Sequence, residues 1–476
     1  MNTSKVIIFP KIYPVACHTD NVGPGSTFVA ISGMSENGLS YVELALEKGA
    51  TKIVIQKSEK VPVKIKQAIK SYGAECFFVD DTRKELSKLS AEKLGHPAKK
   101  LSFVGVTGTK GKTTTVYSIE HILKTAGYKT ALLSTVENKI CSHLFDTQLT
   151  TCHPDYLNVF FDLCIKAGVQ YVVIEVAAQA LTLHRVYGIE FDCVLFTNLS
   201  LEHSEFYNSM EEYFDAKCLL FNQLKPDGKA IVNCDDQWGQ KVLSKNQYKT
   251  FSMLDKEADF YGNLSSSNLE GIDLDITHGG QKNDIVCPTM FGKFNAYNLL
   301  GAYALAKTLR INDKAISIAC QTMPMILGRL NKYEMPNGSS FFIDYAHNPD
   351  SYDAVFSTMR ESSAHLIAVF GAGGSRDKNK RPLMGSIAAK YCDIVILTSD
   401  NPRSEDPKDI VDAIIEGIDK AQRTKVIIEL DRKKAIELAY KLSLKDSIVM
   451  LLGKGPDEYQ IIGGHKDFFS EKLIVQ

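Results

Sequence analysis

At 476 residues the chain is too long for one hydrophobic core, so about two to four domains are expected. Hydrophobic residues make up 44% and charged residues 23%, the balance of an ordinary soluble globular protein. Lys plus Arg (55) nearly cancels Asp plus Glu (56), so no global field points to a nucleic-acid or membrane partner, and neither is expected. The eleven cysteines are scattered without a C-x-x-C pair, which reads as reduced thiols in a cytoplasmic protein. The apolar stretch near the N-terminus is too short for a secretory signal, and no run approaches a membrane span.

Residues 1–98 read as a small α/β unit. Ser26–Ser32, Lys52–Gln56 and Cys76–Val79 have strand character, with a helical Tyr41–Lys48 between the first two. The polar stretch Ser90–Lys100, with His96-Pro97, reads as a linker. Then comes the most informative segment. The apolar run Leu101–Val106 reads as a buried strand, Thr107-Gly108-Thr109-Lys110-Gly111 as a glycine-rich turn, and a helical pattern runs from Val116 to Thr125. Glycines let successive N–H groups converge on one anion, and the following helix adds its positive end. Lys112 supplies a mobile charge for terminal phosphates, while Thr113, followed by Thr114, offers a hydroxyl to Mg²⁺. Because position 106 is Val, this is a compact variant of the phosphate loop, and it predicts binding of a nucleoside triphosphate.

Through residues 99–327, strands at Tyr171–Val176, Val194–Thr197 and Ala230–Asn233 alternate with helical patterns at Tyr156–Ala167 and Met210–Leu224. The alternation predicts a largely parallel sheet covered by helices. Glu175 ends an apolar strand, where a carboxylate is costly to bury unless it meets a cation, and it is the candidate Mg²⁺ ligand. His203 follows the next strand on the active edge. Lys217 lies in a mostly apolar helix, where pattern alone predicts a lysine that snorkels to solvent. Long helical stretches (Ala296–Leu309, Asp313–Met323) then lead to a boundary near Gly328. In residues 328–476, strands at Phe341–Asp344, Leu366–Phe370, Ile394–Thr398, Lys425–Glu429 and Ser447–Leu452 mostly end in polar or glycine-rich loops. Ligands of open α/β sheets bind at the carboxyl ends of strands, so these loops predict one composite site.

Blocks along most of the chain resemble the Mur ligases, in particular the branch that adds the third residue of the cell-wall peptide (MurE type). They are Thr107–Thr115, Glu175–Val186 (EVAAQALTLHRV), Phe196–Ser200 with Glu202-His203, Tyr213–Phe221, Gly292–Leu299, Asp344–Ser351 (DYAHNPDS), Gly371–Gly385, Asp400–Pro407 (DNPRSEDP) and Gly453–Gln460 (GKGPDEYQ). The resemblance implies an α/β protein of three domains: a small N-terminal one for a UDP-sugar, a central phosphate-loop one with a parallel sheet for ATP, and a Rossmann-like C-terminal one for an amino acid. It implies that Lys112 and Thr113, joined by Glu175, hold the triphosphate and Mg²⁺, and that His203 and a carbamylated Lys217 hold a second Mg²⁺. Asn295 and Asn298 match positions near adenine, Asp344 and His347 a nucleotide-facing loop, and Arg329 an interdomain hinge. Thr19, Thr150, Thr151, Ala177, Gln179 and Arg185 match the UDP-muramoyl-peptide site.

For the acceptor, the resemblance points to Arg376, Asp400, Asn401, Pro402, Arg403, Gly453 and Asp457. Relatives that add meso-2,6-diaminopimelate share the DNPR pattern, and a guanidinium can grip that compound's distal carboxylate bidentately. The implied reaction is ATP-dependent amide ligation through an acyl phosphate, by a protein expected to be monomeric. Three departures stand out. G-K-G-H-E becomes Gly453-Lys-Gly-Pro456-Asp457, two serines become Ala177 and Ala178, and the aspartate-serine-arginine of the uridine site becomes His18-Thr19-Asp20. They leave open lysine as acceptor, a different carboxylate such as a folate, and an ATP-binding protein without ligase activity. For Arg403 an ion pair with Glu405 in a surface loop is the competing reading.

Overall fold

The computed structural model describes residues 7–33, 36–147, 149–200, 202 and 206–476. The chain divides into two compact units, one of residues 1–262, 276–283 and 298–319, the other of residues 263–275, 284–297 and 320–476. The first begins with a parallel sheet of β1 (Val15–Ala16), β2 (Thr27–Val29), β3 (Lys52–Gln56) and β4 (Glu75–Val79), paired in that order. Alternation in β3 divides its side chains between two cores. Ile53 and Ile55 pack with Val42, Leu46 and Ile69, while Val54 packs with Val15, Val29 and Leu86. The stretch predicted as a linker is different in the structure: a helix runs Thr82–Lys93 and a 3₁₀ turn Pro97–Lys100. The Asp81 carboxylate caps that helix by accepting from Arg83 N and Lys84 N, and Thr82, Leu86, Ser87 and Ser90 form its buried side. Cap and packing outweigh the polar composition.

The large sheet contains β5 (Ser102–Thr107), β6 (Thr130–Leu133), β7 (Asn138–Ile140), β8 (His143–Phe145), β9 (Tyr171–Glu175), β10 (Phe191–Phe196), β11 (Leu224–Asn233), β12 (Lys249–Ser252), β13 (Phe260–Asn268), β14 (Gly271–His278) and β15 (Gln281–Cys287). They hydrogen-bond in the order β15-β14-β13-β12-β11-β10-β5-β9-β6-β7-β8. β5 is central, with β10 and β9 parallel on either side, so the segment after it emerges at the middle of the sheet's carboxyl edge. The helix predicted over Met210–Leu224 stops at Cys218 and gives way to a 3₁₀ turn, Phe221–Gln223.

The second unit is built on β16 (Asn331–Glu334), β17 (Ser340–Asp344), β18 (Leu366–Phe370), β19 (Ile394–Leu397), β20 (Val426–Ile428) and β21 (Ile448–Leu452), in the order β16-β17-β21-β18-β19-β20, with only β16 antiparallel. Its loops after β17, β18, β19 and β21 therefore leave from one edge. A hairpin of β22 (Tyr459–Ile462) and β23 (His465–Phe468) and a helix Glu471–Val475 end the chain. All eleven cysteines are free, and burial raises the pKa of every one of these thiols. Among the described residues no helix is long and apolar enough to cross a membrane.

Within β5, Phe103 meets the Phe161 ring edge-on at 4.9 Å between centroids and is wholly buried. Phe103→Ala is expected to cost about 3–5 kcal/mol of stability, read from urea unfolding of the full chain.

Candidate active site

The loop after β5 is compact because two glycines remove obstacles. Gly108 has φ +145°, and a Cβ there would strike Thr197 Oγ1 and lie 3.1 Å from the Asn198 backbone. Gly111 has φ +84°, and a Cβ there would run into Asn298 Oδ1, which places Asn298 against the loop. The end of β10 clasps the turn. Lys110 N donates to Asn198 Oδ1 at 2.9 Å, and Lys110 O accepts from Thr197 Oγ1 at 2.7 Å and Asn198 Nδ2 at 3.1 Å. Thr109 N donates to Asn198 O at 2.9 Å, and the Thr107 hydroxyl donates to Val176 O at 2.9 Å. The helix Lys112–Thr125 starts at once, longer than its apolar pattern predicts, with Thr113 and Thr114 buried in its first turn, and the N–H groups of a first turn point out of the helix end. Such a turn favours an anion.

Two lysines converge on this loop. Lys112 Nζ donates to Gly108 O at 3.0 Å and to Thr109 O at 2.8 Å, and Lys217 Nζ donates to Gly108 O at 2.7 Å. Lys217 does not snorkel: it is 1% exposed, its Nζ lying 4.3 Å from the Tyr213 ring centroid. Burial first, and the Lys112 ammonium second, drive its pKa well below the usual lysine range.

Glu175 is buried at the end of β9. Its carboxylate meets Thr135, whose N–H donates to Oε1 at 3.0 Å and whose hydroxyl donates to Oε2 at 3.1 Å. The same hydroxyl lies 3.0 Å from Thr150 Oγ1. Thr151 donates to Glu175 O at 2.8 Å and accepts from Ala177 N at 3.2 Å, and Arg185 Nη1 donates to Thr151 O at 2.9 Å. Glu175, Thr150, Thr151, Ala177 and Arg185 thus form one network. Gln179 lies in the adjoining short helix Ala178–Thr182. Thr19, buried in a 3₁₀ turn, is two residues from Cys17, whose N–H donates to Asp155 Oδ2 at 3.0 Å just beyond Thr151. His203 lies outside the described residues.

In the second unit Asp344 ends β17. Its Oδ2 accepts from Leu330 N at 2.8 Å and its Oδ1 from Ala346 N at 2.7 Å, while burial raises its pKa. The Arg329 guanidinium lies 5.2 Å from the Tyr345 ring centroid, and His347 Nδ1 is 2.7 Å from Tyr345 O. Asn295 Nδ2 donates to Phe291 O at 3.0 Å.

The loops after β18, β19 and β21 assemble the predicted acceptor residues. Arg403 has φ +55°, and its Nη1 donates to Gly374 O at 2.7 Å and Asn401 O at 3.4 Å. A Cβ on Gly373 would lie 3.0 Å from Arg403 Nη1 and 3.7 Å from Arg376 Cγ, so both arginines pass close to that glycine. The competing partner, Glu405, is taken by Arg381 through two bonds of 3.0 and 3.1 Å, which hold its pKa down to about 2. Glu405 also caps the turn by accepting from Ser375 N, and its N–H donates to Pro402 O at 3.0 Å. Among the described residues neither Arg376 nor Arg403 has a carboxylate partner. Gly453 has φ +106°, and a Cβ there would lie 2.5 Å from Asp400 Oδ2. Buried Lys454 lies 3.7 Å from Asp400 Oδ1 and donates to Asn401 Oδ1 at 3.3 Å. Burial raises the pKa of Asp457, whereas the neighbouring Glu458 is bonded by Ser470 Oγ at 2.9 Å. Two guanidiniums without acids and one nearby acid suit a zwitterion that presents both carboxylate and ammonium groups.

Comparison with known proteins agrees with these features. A family model described as Mur ligase middle domain matches residues 106–306, and one described as Mur ligase, glutamate ligase domain matches residues 328–455. A protein of Caldanaerobacter subterraneus subsp. tengcongensis, named UDP-N-acetylmuramoyl-L-alanyl-D-glutamate–2,6-diaminopimelate ligase, is 37% identical over 457 residues, spanning 95% of this chain and 92% of that protein. A protein of the same name from Aquifex aeolicus is 37% identical, spanning 98% of this chain and 94% of its own. A solved structure of an enzyme with that name superposes with a TM-score of 0.67 at 28% identity, covering 98% of this chain and 94% of the other.

Two outcomes follow from the loop. Gly111→Ala, which must adopt a left-handed backbone and displace Asn298, is expected to weaken nucleoside-triphosphate binding about tenfold or more by calorimetry, given ~1–2 kcal/mol for the backbone alone. Lys217 binds a proton more readily unfolded than folded, so its burial penalty is greatest below its folded pKa and vanishes as pH passes the ordinary lysine value. The stability of the wild type relative to Lys217→Met should therefore rise between pH 8 and about 10.5 in denaturant titrations.

Proposed function

Because the chain belongs to the Mur ligase family, we propose that it is an ATP-dependent ligase joining meso-2,6-diaminopimelate to UDP-N-acetylmuramoyl-L-alanyl-D-glutamate in peptidoglycan precursor synthesis. One observation carries the choice of acceptor: Arg403 and Arg376 both lie close to Gly373, and among the described residues neither has an acid of its own. Diaminopimelate brings two carboxylates to such a pair, whereas lysine brings one and leaves a guanidinium unanswered. Asp457 is suited to its distal ammonium group.

In this reading residues 1–98 receive the UDP-sugar, residues 99–327 ATP, and residues 328–476 the amino acid. The turn 108–111 and the first turn of the following helix cradle the phosphates, and Lys112 swings from the loop carbonyls to the terminal phosphate. A substrate carboxylate oxygen attacks the γ-phosphorus and ADP departs, giving an acyl phosphate. The acceptor's free amine then attacks the acyl carbon, inorganic phosphate leaves with the C–O bonding pair, and the amine's proton passes to solvent. Thr150, Thr151 and Arg185 orient the muramoyl-peptide, with Thr19, Ala177 and Gln179 nearby in sequence or network. By their match to the family, Asn295 and Asn298 are assigned to the adenine, and Arg329, Asp344 and His347 to the nucleotide.

The Thr113 hydroxyl and the Glu175 carboxylate are hard oxygen donors that fit Mg²⁺, which typically takes few protein ligands and completes its shell with phosphates and water. Bound there, Mg²⁺ would neutralise phosphate charge. The depressed proton affinity of Lys217 fits carbamylation, because the neutral amine is the form that adds CO₂; with His203 it would supply a second Mg²⁺ site. Reduced thiols throughout agree with the cytoplasm.

The test is phosphate release with UDP-muramoyl-dipeptide and a panel of diaminopimelate, lysine and ornithine. Diaminopimelate should be preferred, and Arg403→Ala should lower its kcat/KM by about 10–100-fold while leaving the KM for ATP unchanged, as expected for losing hydrogen bonds to a charged group. Equal loss for ATP and acceptor would contradict the assignment.

A further inference from the structure

The loops that carry Asp400–Arg403 and Gly453–Asp457 are gripped from two sides by the end of the chain. On one side is the β22–β23 hairpin. Arg403 N donates to Ile461 O at 3.0 Å, Gly463 N donates to Arg403 O at 2.7 Å, and Ile461 N donates to Asn401 Oδ1 at 2.9 Å. Gln460 Nε2 adds bonds to Asp400 O at 2.8 Å and Ser399 O at 3.4 Å. These bonds matter because Arg403 has φ +55°, a conformation that a side chain with a Cβ seldom adopts unless its surroundings impose it. On the other side is the C-terminal helix. Glu471 Oε1 accepts from Arg432 Nε and Nη2, each at 2.8 Å. The same guanidinium donates from Nη2 to Leu452 O at 2.7 Å and from Nη1 to Ser399 O at 3.4 Å. Leu452 and Ser399 are the roots of the two acceptor loops. Arg432 is 1% and Glu471 3% exposed, so water does not compete for either.

We propose that residues 459–475 set acceptor selectivity: the Ile461 and Gly463 main chain holds the Arg403 backbone, and Gln460 and, through Arg432, Glu471 are positioning residues that hold the roots of the loops, so that the Arg403 guanidinium faces one point in space. The inference rests on the acceptor reading above. Burial of an ion pair contributes little net stability compared with apolar packing, and its best-attested use is to fix one arrangement among several. Here the arrangement fixed is the spacing between the ends of β19 and β21 and the aim of Arg403. A displacement of about 1 Å at a binding group is enough to lose much of a discrimination that depends on a bidentate contact.

The experiment compares full-length wild type, Gln460→Leu and Glu471→Gln. The preference for diaminopimelate over lysine in kcat/KM should fall roughly tenfold in both variants through the acceptor KM, with the KM for ATP unchanged. Amide hydrogen exchange should quicken in residues 399–403 and 452–457 and remain unchanged in 102–125. An intact preference, or a parallel loss for ATP and acceptor with quicker exchange everywhere, overturns the proposal. If the wild type uses neither diamino acid, the acceptor reading fails, and exchange decides the positioning role: quickening confined to the two loops upholds it, while unchanged or uniform exchange overturns it. If Glu471→Gln does not fold, Gln460→Leu alone gives the same decision.

Discussion

Two ammonium groups share one peptide oxygen. Lys112 and Lys217 both reach Gly108 O, from the helix that follows the loop and from a helix far along the chain. That convergence requires a loop without side chains in the way, which is why Gly108 lies so close to Thr197 that any Cβ would collide. It also sets the electrostatics. Two cations so near each other and so little hydrated are disfavoured, and the more buried Lys217 yields its proton first. The chemistry at the middle of the large sheet therefore depends on how tightly the turn is clasped by Thr197 and Asn198.

The second unit solves a different problem with similar means. Positive charge must remain available for an incoming acid although acids stand close by. Glu405 would quench Arg403, but Arg381 takes it in a bidentate grip. Lys454, buried and 3.7 Å from Asp400, answers that carboxylate from within the same cluster of loops. Specificity is as much a matter of which internal pairs are already satisfied as of which groups face the ligand.

Much of this was legible in the chain. The phosphate loop, the apolar strands β17, β18, β19 and β21, and the polar loops after them follow from runs of buried β-formers punctuated by glycine, and the structure places them within a residue or two of expectation. What was not legible depends on partners distant in sequence. Thr135 looks ordinary until it satisfies Glu175, and nothing local distinguishes Arg381 from Arg376 as the partner of Glu405. The snorkelling expectation for Lys217 failed because a helix's neighbours, not its own pattern, decide whether its lysine reaches water. β14 did have a signal, Ile272, Leu274 and Ile276 alternating with aspartates, but turn-rich polar flanks obscured it. The segment Ser90–Lys93 misleads in the opposite way, since a serine that looks like a linker residue lies on a helix's buried side.

The state of the cysteines has a practical consequence. Each of the eleven thiols holds its proton more firmly than a free cysteine does, so little thiolate is present at neutral pH. A single new cysteine on an exposed loop would react with maleimides ahead of the native background. The native chain can thus carry one fluorophore or spin label, for following the swing of a loop in real time, without first being stripped of its own sulfur.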